Sequence, residues 1–304
     1  MKARPDILKA TDFIWRTSRL LEQHRFAFLF LDGSGDVVLK ALRPYQNTDG
    51  GFGHALEPDL RGPASQPLAV WSALRILDEI DGFDDPIVKQ ACDYLMTITT
   101  AEGGVPFALP SIRSYPHVPW LQPEDQPPAS INPTAGIAGL LYKHHVEHPW
   151  LELASAYCWH YIESSERWVV ERELSDFERV SAGYDIRAAL PFLDFVADRN
   201  RAEKAQEHIG QYLLKREIVT LDPHASGETH TPLVFATQPE SIIRQLFSDE
   251  IIDIHLDRLV AAQQEDGGWP INWSVWAPVT ELEWRGCATI DALQTLRAYM
   301  RFHT

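Results

Sequence analysis

Two stretches decide the fold: Gln46-Asn47-Thr48-Asp49-Gly50-Gly51-Phe52-Gly53 and Gln263-Gln264-Glu265-Asp266-Gly267-Gly268-Trp269. Each sets a Gln, an Asp-Gly-Gly turn and an aromatic ring in the same order. A fainter copy, Glu102-Gly103-Gly104-Val105-Pro106-Phe107, lies between them. Gly50 and Gly103 are 53 residues apart, and the 164 residues from Gly103 to Gly267 are close to three further steps of that size. A period this long is the signature of a repeated supersecondary unit. A left-handed backbone is expected at Gly51.

Helix-start signals keep the same beat. Ser34-Gly35-Asp36, Asp84-Asp85-Pro86, Glu147-His148-Pro149, Asp198-Arg199-Asn200 and Ser248-Asp249 give anchors at 35, 85, 149, 199 and 249, with steps of 50, 64, 50 and 50 residues. The long step contains a Pro-rich insertion, 105–133. Each anchor opens an amphipathic helix, such as the stripe Ile87, Val88, Ala91, Cys92, Leu95 and Met96. A more apolar helix follows most of them, at Leu68–Leu77, Ala135–Leu141, Ile186–Phe195 and Ala288–Met300, and segment 6–31 supplies another. The more apolar helices are expected inside and the charged ones outside. Only 217–221 and 233–236 read as short strands. An open solenoid usually repeats every 30–47 residues or so and needs capped ends. The longer step predicts an all-α, α/α toroid of five to six helical hairpins forming one domain over 1–304.

Composition narrows the function. The chain of 304 residues is 45% hydrophobic and carries a net charge of −16, which opposes nucleic acid and anionic membrane surfaces. No run of 18 apolar residues predicts an integral membrane segment, and the N-terminus lacks a signal peptide's apolar core. Cys92, Cys158 and Cys287 form no CxxC pair, so a cytoplasmic protein with reduced thiols is expected. The sequence leaves the oligomeric state open.

The Gln-Asp-Gly-Gly-aromatic turns resemble the Gln-x-x-x-Gly-x-Trp/Phe repeats of the terpene cyclase and protein prenyltransferase toroid superfamily, over nearly the whole chain. In that superfamily the repeats are structural, with Gln and the ring tying an outer helix end to the turn. The catalytic signatures differ. No Asp-x-Asp-Asp acid motif is present: Asp81-Gly82-Phe83-Asp84-Asp85 is one residue too long and reads as a helix cap. Nor is there an Asp-Asp-x-x-Asp metal motif. The zinc ligands of the prenyltransferases find only Cys287, without the Asp-x-Cys spacing and with His303 as the sole histidine downstream. No metal and no cofactor are expected. A weaker resemblance links Asp266-Gly267-Gly268-Trp269-Pro270 to the turns of α/α-toroid polysaccharide lyases.

In a toroid the loops leading into inner helices line the cavity mouth, where free N–H groups and helix dipoles gather. Those loops carry the candidate site. Glu57 and Asp59, two residues apart, face one side if the backbone is extended, and paired carboxylates push one pKa up for general acid work. Against this stands a rim salt bridge, with Asp59 as a cap. Asp185 is the third candidate catalytic residue, or an N-cap. Candidate substrate-binding residues are His54, Arg61, Tyr184, Arg187, Trp273, Trp276, Trp284 and Arg285; the tryptophans could stabilise a carbocation or stack on a sugar. His144, His145 and His148 read as a solvated helix end, with only His144 and His148 on one face. The expected function is a terpene-cyclase-like lyase or isomerase converting a hydrophobic small molecule, such as an isoprenoid, by acid-initiated chemistry. A sugar-active toroid lyase or hydrolase and a non-catalytic binding toroid are the alternatives.

Overall fold

The computed structural model describes residues 4–164 and 173–302; His303 lies outside them. The described residues are all-helical, with no strand longer than an isolated bridge. In chain order the helices are α1 (Ile7–Thr17), α2 (Leu20–Phe30), α3 (Gly35–Leu42), α4 (Pro67–Glu79), α5 (Pro86–Ile98), α6 (Ile131–Lys143), α7 (Pro149–Glu163), α8 (Asp176–Phe195), α9 (Arg199–Lys215), α10 (Pro232–Phe235), α11 (Asp249–Ala261) and α12 (Pro278–Ala298). All five anchors fall at the first helical residue or the N-cap of a helix. Two expectations are corrected. Segment 6–31 is a hairpin broken at Ser18-Arg19, where the backbone turns extended. Residues 232–235 are a helical turn and Val219 makes one bridge to His230, so neither expected strand forms.

Helix starts follow elementary rules. Pro67, Pro86, Pro149, Pro232 and Pro278 each stand in the first turn of a helix, where a missing N–H costs nothing. The caps then sort the helices into two kinds. Asp6, Asp85, His148 and Ser248 accept a backbone N–H at the starts of α1, α5, α7 and α11. No side chain caps α2, α4, α6, α10 or α12.

The chain divides into two compact units. One comprises Met1–Ala41, Ser175–Gly183 and Gly210–Thr304; the other comprises Leu42–Leu174 and Tyr184–Ile209. In the second unit α4 packs on α6, and α5 on α7. Eleven consecutive residues of α6, Ile131–Leu141, are buried, so α4 and α6 are the inner row and α5 and α7 the outer one. Close approach here needs small residues: a Cβ on Gly139 would lie 2.3 Å from the Pro191 carbonyl carbon. In the first unit α12 packs on α1, α2 and α11, which brings the first and last hairpins together. That is what a closed α/α toroid requires of its two ends.

The three glycine turns fold alike. Gly50, Gly103 and Gly267 have φ of 89°, 94° and 95°, so the left-handed residue is the first glycine and not Gly51 as expected. A Cβ there would strike a helix carbonyl: Gln90 O at 2.3 Å, Leu153 O at 2.7 Å and Lys9 O at 2.1 Å. The second glycine of each pair meets the ring four residues further along that helix, Tyr94, Tyr157 or Phe13. Gln46 Nε2 donates to Gly50 O and Ile87 O, and Gln263 Nε2 to Gly267 O and Asp6 O. Each Gln therefore ties its turn to the start of a neighbouring helix, α5 or α1. Trp269 Nε1 donates to Leu259 O near the end of α11.

Candidate functional site

The loop 54–65 leaves the first turn and enters α4. Its ends are locked: Gly53 N donates to Tyr45 O, His54 N to Gly62 O and Gln66 N to Phe52 O. His54 and Ala55 take positive φ, and His54 Nε2 meets Asn47 Oδ1 at 2.9 Å. Asn47 Nδ2 in turn reaches Pro63 O and Ser65 Oγ, and Ser65 donates to Asp49. His54 is thus an exposed clasp between loop and turn.

Within the loop, Leu60 N donates to Glu57 O. Pro58 and Asp59 are therefore the central residues of a tight turn, with Pro where its fixed φ suits position i+1. The extended backbone expected across Glu57 and Asp59 does not form, and the period-2 argument for pairing their carboxylates lapses. Glu57 instead accepts from Ser72 Oγ of α4 at 3.1 Å. Alternation holds one step later, where Leu60 bridges to His117, with Val118 N donating to Asp59 O and Arg61 N to Pro116 O. Leu60 is buried with Ala108 and Ile112, packed by Leu68, Phe107 and Leu121. Asp59 and Arg61 flank it and so take the opposite face. The insertion 105–133 thereby forms the floor of the loop, and Gln66 pins it by donating to Ser111 Oγ and accepting from Leu109 N.

On α8, Asp185 stands in the third turn, because the helix already starts at Asp176; the N-cap reading is corrected. Asp185 Oδ2 accepts from Tyr161 Oη of α7 at 2.6 Å, a charge-assisted bond that holds the carboxylate in place. The Arg187 guanidinium lies 5.6 Å from the Tyr184 ring centroid. On α6 Asn132 is 7% exposed, and its Oδ1 has no hydrogen-bond partner among the described residues.

The first unit carries the tryptophans. Trp273 and Trp284 meet edge to face, 5.4 Å between centroids at 87°, and both, like Trp276, are partly exposed. Arg285 is committed elsewhere. It donates to Gln264 Oε1, Asp266 Oδ1 and Trp269 O and lies over the Phe13 ring at 4.6 Å, so it clamps the second turn.

Sequence reasoning missed a buried charge cluster in this unit. Glu22 is fully buried on α2, held by Arg19 through two bonds of 2.8 and 2.7 Å, with Arg25 at 3.7 Å. The i, i+3 spacing of these charges is legible in the sequence, but nothing within α2 alone shows that Glu22 is buried. Cys287 Sγ lies 3.9 Å from Glu22. Burial first, then the Glu22 charge, pushes this thiol up to about 12, leaving it protonated and unlike a metal-binding thiolate. Among the described residues no group of three or more His, Cys, Asp or Glu is placed to hold a metal ion. His144 stacks on Phe83 at 3.9 Å and bonds Asp78, whereas His148 caps α7 and bonds Asp93.

No family profile and no curated protein matches the chain. Among solved structures it is similar to a protein from Actinoplanes, at 15% identity and a TM-score of 0.56, covering 95% of this chain and 87% of that one. It is also similar to a type II terpene cyclase from Scytonema, solved in complex with its substrate geranylgeranyl dihydroxybenzoate, at 14% identity and a TM-score of 0.47, covering 96% and 88%. The first is a likeness of fold; the second is weaker. Among the described residues no helix is long and apolar enough to cross a membrane.

Proposed function

We propose that this chain is a terpene-cyclase-like toroid enzyme, a single domain acting on an isoprenoid or other hydrophobic substrate by acid-initiated chemistry. One observation carries the reading. The loop 54–65 is fastened at both ends to a structural turn and carries Glu57 and Asp59 directly before α4. Preorganised carboxyls on a rigid loop at the start of an inner helix are what general acid catalysis needs.

In the proposed step Asp59, or Glu57, acts as a neutral carboxylic acid and gives its proton to an alkene carbon of the substrate. The π electrons form the new C–H bond, the adjacent carbon becomes cationic and the acid becomes a carboxylate. Asp185 adds a fixed negative charge, and Arg61 and Arg187 shape the polar rim with His54 and Tyr184. Loss of a neighbouring proton to a carboxylate ends the reaction as a rearranged alkene, with no metal or cofactor required.

The test is product analysis by gas chromatography–mass spectrometry after incubation with linear polyprenyl alkenes, alcohols and diphosphates. Conversion without added metal, abolished in Asp59→Asn or Glu57→Gln, is the expected result. Absence of any isoprenoid product, with cleavage of uronate-containing polysaccharides instead, would overturn it.

A further inference from the structure

Asp194 lies in the last turn of α8 and Gln206 in the middle of α9, both in the second unit. Gln206 Nε2 donates to Asp194 Oδ1 at 2.7 Å. Gln206 is 2% exposed, and its amide oxygen, Oε1, is buried without a hydrogen-bond partner among the described residues. A buried carbonyl left without a donor costs roughly 1–3 kcal/mol. The group already bonded to the other end of the same amide can supply one, provided that it carries a proton.

We propose that Asp194 is a neutral carboxylic acid in the folded protein, its O–H donated to Gln206 Oε1, closing a two-way acid–amide pair that locks α8 to α9. The proton is the carboxyl's own, so Oδ1 still accepts from Nε2 while the second oxygen becomes a donor. Burial is the largest influence on Asp194 and pushes it above the ordinary carboxylate range, against the Gln206 amide and the Arg199 charge, which favour the anion. The other charges nearby are held by other partners. The Arg199 guanidinium donates to Leu193 O and Val196 O. Lys143 of α6, 5.7 Å from the Phe195 ring centroid, is paired with Asp78 at 2.6 Å. Asp194 takes no part in the reaction proposed above.

The consequence is a pH-dependent lock. A carboxyl whose folded pKa is raised binds more protons folded than unfolded. Its contribution to stability is complete below the unfolded value and is lost as pH rises through the folded one. Asp194→Asn keeps both bonds of the pair without a titrating group. Melting curves of the two proteins from acidic to mildly alkaline pH should coincide at low pH, with the variant gaining over the wild type as pH rises. Infrared spectra of the wild type near neutral pH should contain a protonated-carboxyl stretch that is absent from Asp194→Asn. A variant that follows the wild-type pH dependence, or melts lower at neutral pH, would overturn the proposal, as would absence of that band. Should Asp194→Asn fail to fold, Gln206→Glu serves instead: two facing carboxyls should make stability fall more steeply with pH than in the wild type, and an unchanged slope counts against the pair.

Discussion

The turns at 46–53 and 263–269 are built with the same bonds and continue differently. In both, a Gln side chain ties the turn to the start of a helix, an Asp accepts the second glycine's N–H, and the first glycine abuts a helix carbonyl. After the first turn the chain makes a fastened loop carrying Glu57, Asp59 and Arg61. After the second it runs through Trp273 and Trp276 into α12, and Arg285 returns from that helix to clamp the turn. The shared part is scaffold. What departs from it after each turn has no counterpart in the other, and the candidate chemistry is concentrated there.

Substitutions in the shared part should act on stability, and equally in both copies. Gly50→Val and Gly267→Val combine a left-handed backbone with a Cβ 2.3 or 2.1 Å from a carbonyl oxygen and should each cost at least about 3 kcal/mol in chemical denaturation. Gly51→Val, at an ordinary φ but with a Cβ 2.6 Å from Ser65 Cβ, should cost about 1–3 kcal/mol. Equal losses at Gly50 and Gly51 would contradict the assignment of the strained position. Gln263→Ala removes the side-chain bonds to Gly267 O and Asp6 O, and a loss of roughly 1–2 kcal/mol is expected, matched by Gln46→Ala. Trp269→Phe imitates Phe52 and forfeits only the bond to Leu259 O, so a drop of about 1 kcal/mol should be seen in thermal melts. The smallest effect is at Cys287. With this thiol and that of Cys92 pushed up to about 12, a thiol reagent should label neither in the native protein at any pH where the fold persists. Rapid native labelling of Cys287 would reopen the zinc branch.

The scaffold was legible because its causes are local. Pro86, Pro149 and Asp249 start helices by rules acting within one turn, and Gly50 and Gly267 mark bends that only glycine makes cheaply. The misreadings came from contacts the chain makes at a distance. Gly51 is required by Ser65 and Tyr94, not by its own φ. Asp185 looked like a cap because the helix start at Asp176 lacks a Pro signal. The turn at Pro58-Asp59 reads as easily as an extended segment until Leu60 is seen to pair with His117 of the insertion. Arg285 looked like a rim charge because nothing local shows that Gln264 and Asp266 capture it. The burial of Glu22 and the Asp194–Gln206 contact depend on how helices pack against one another.

The central claim is that the loop 54–65 is functional and the turn beside it structural, and one paired measurement tests it. Asp59→Asn and Gly50→Ala are each to be assayed for melting temperature and for quenching of tryptophan fluorescence by a polyprenyl alcohol, with product formation followed in parallel. The account predicts that Asp59→Asn melts within a degree or so of the wild type, because the isosteric amide leaves the turn and the bond from Val118 N to the Asp59 carbonyl in place, binds the alcohol and forms no product. Gly50→Ala should melt far lower and, below its transition, retain turnover. An Asp59→Asn variant that melts as low as Gly50→Ala, or turns over like the wild type, would make Asp59 a structural residue and contradict the account.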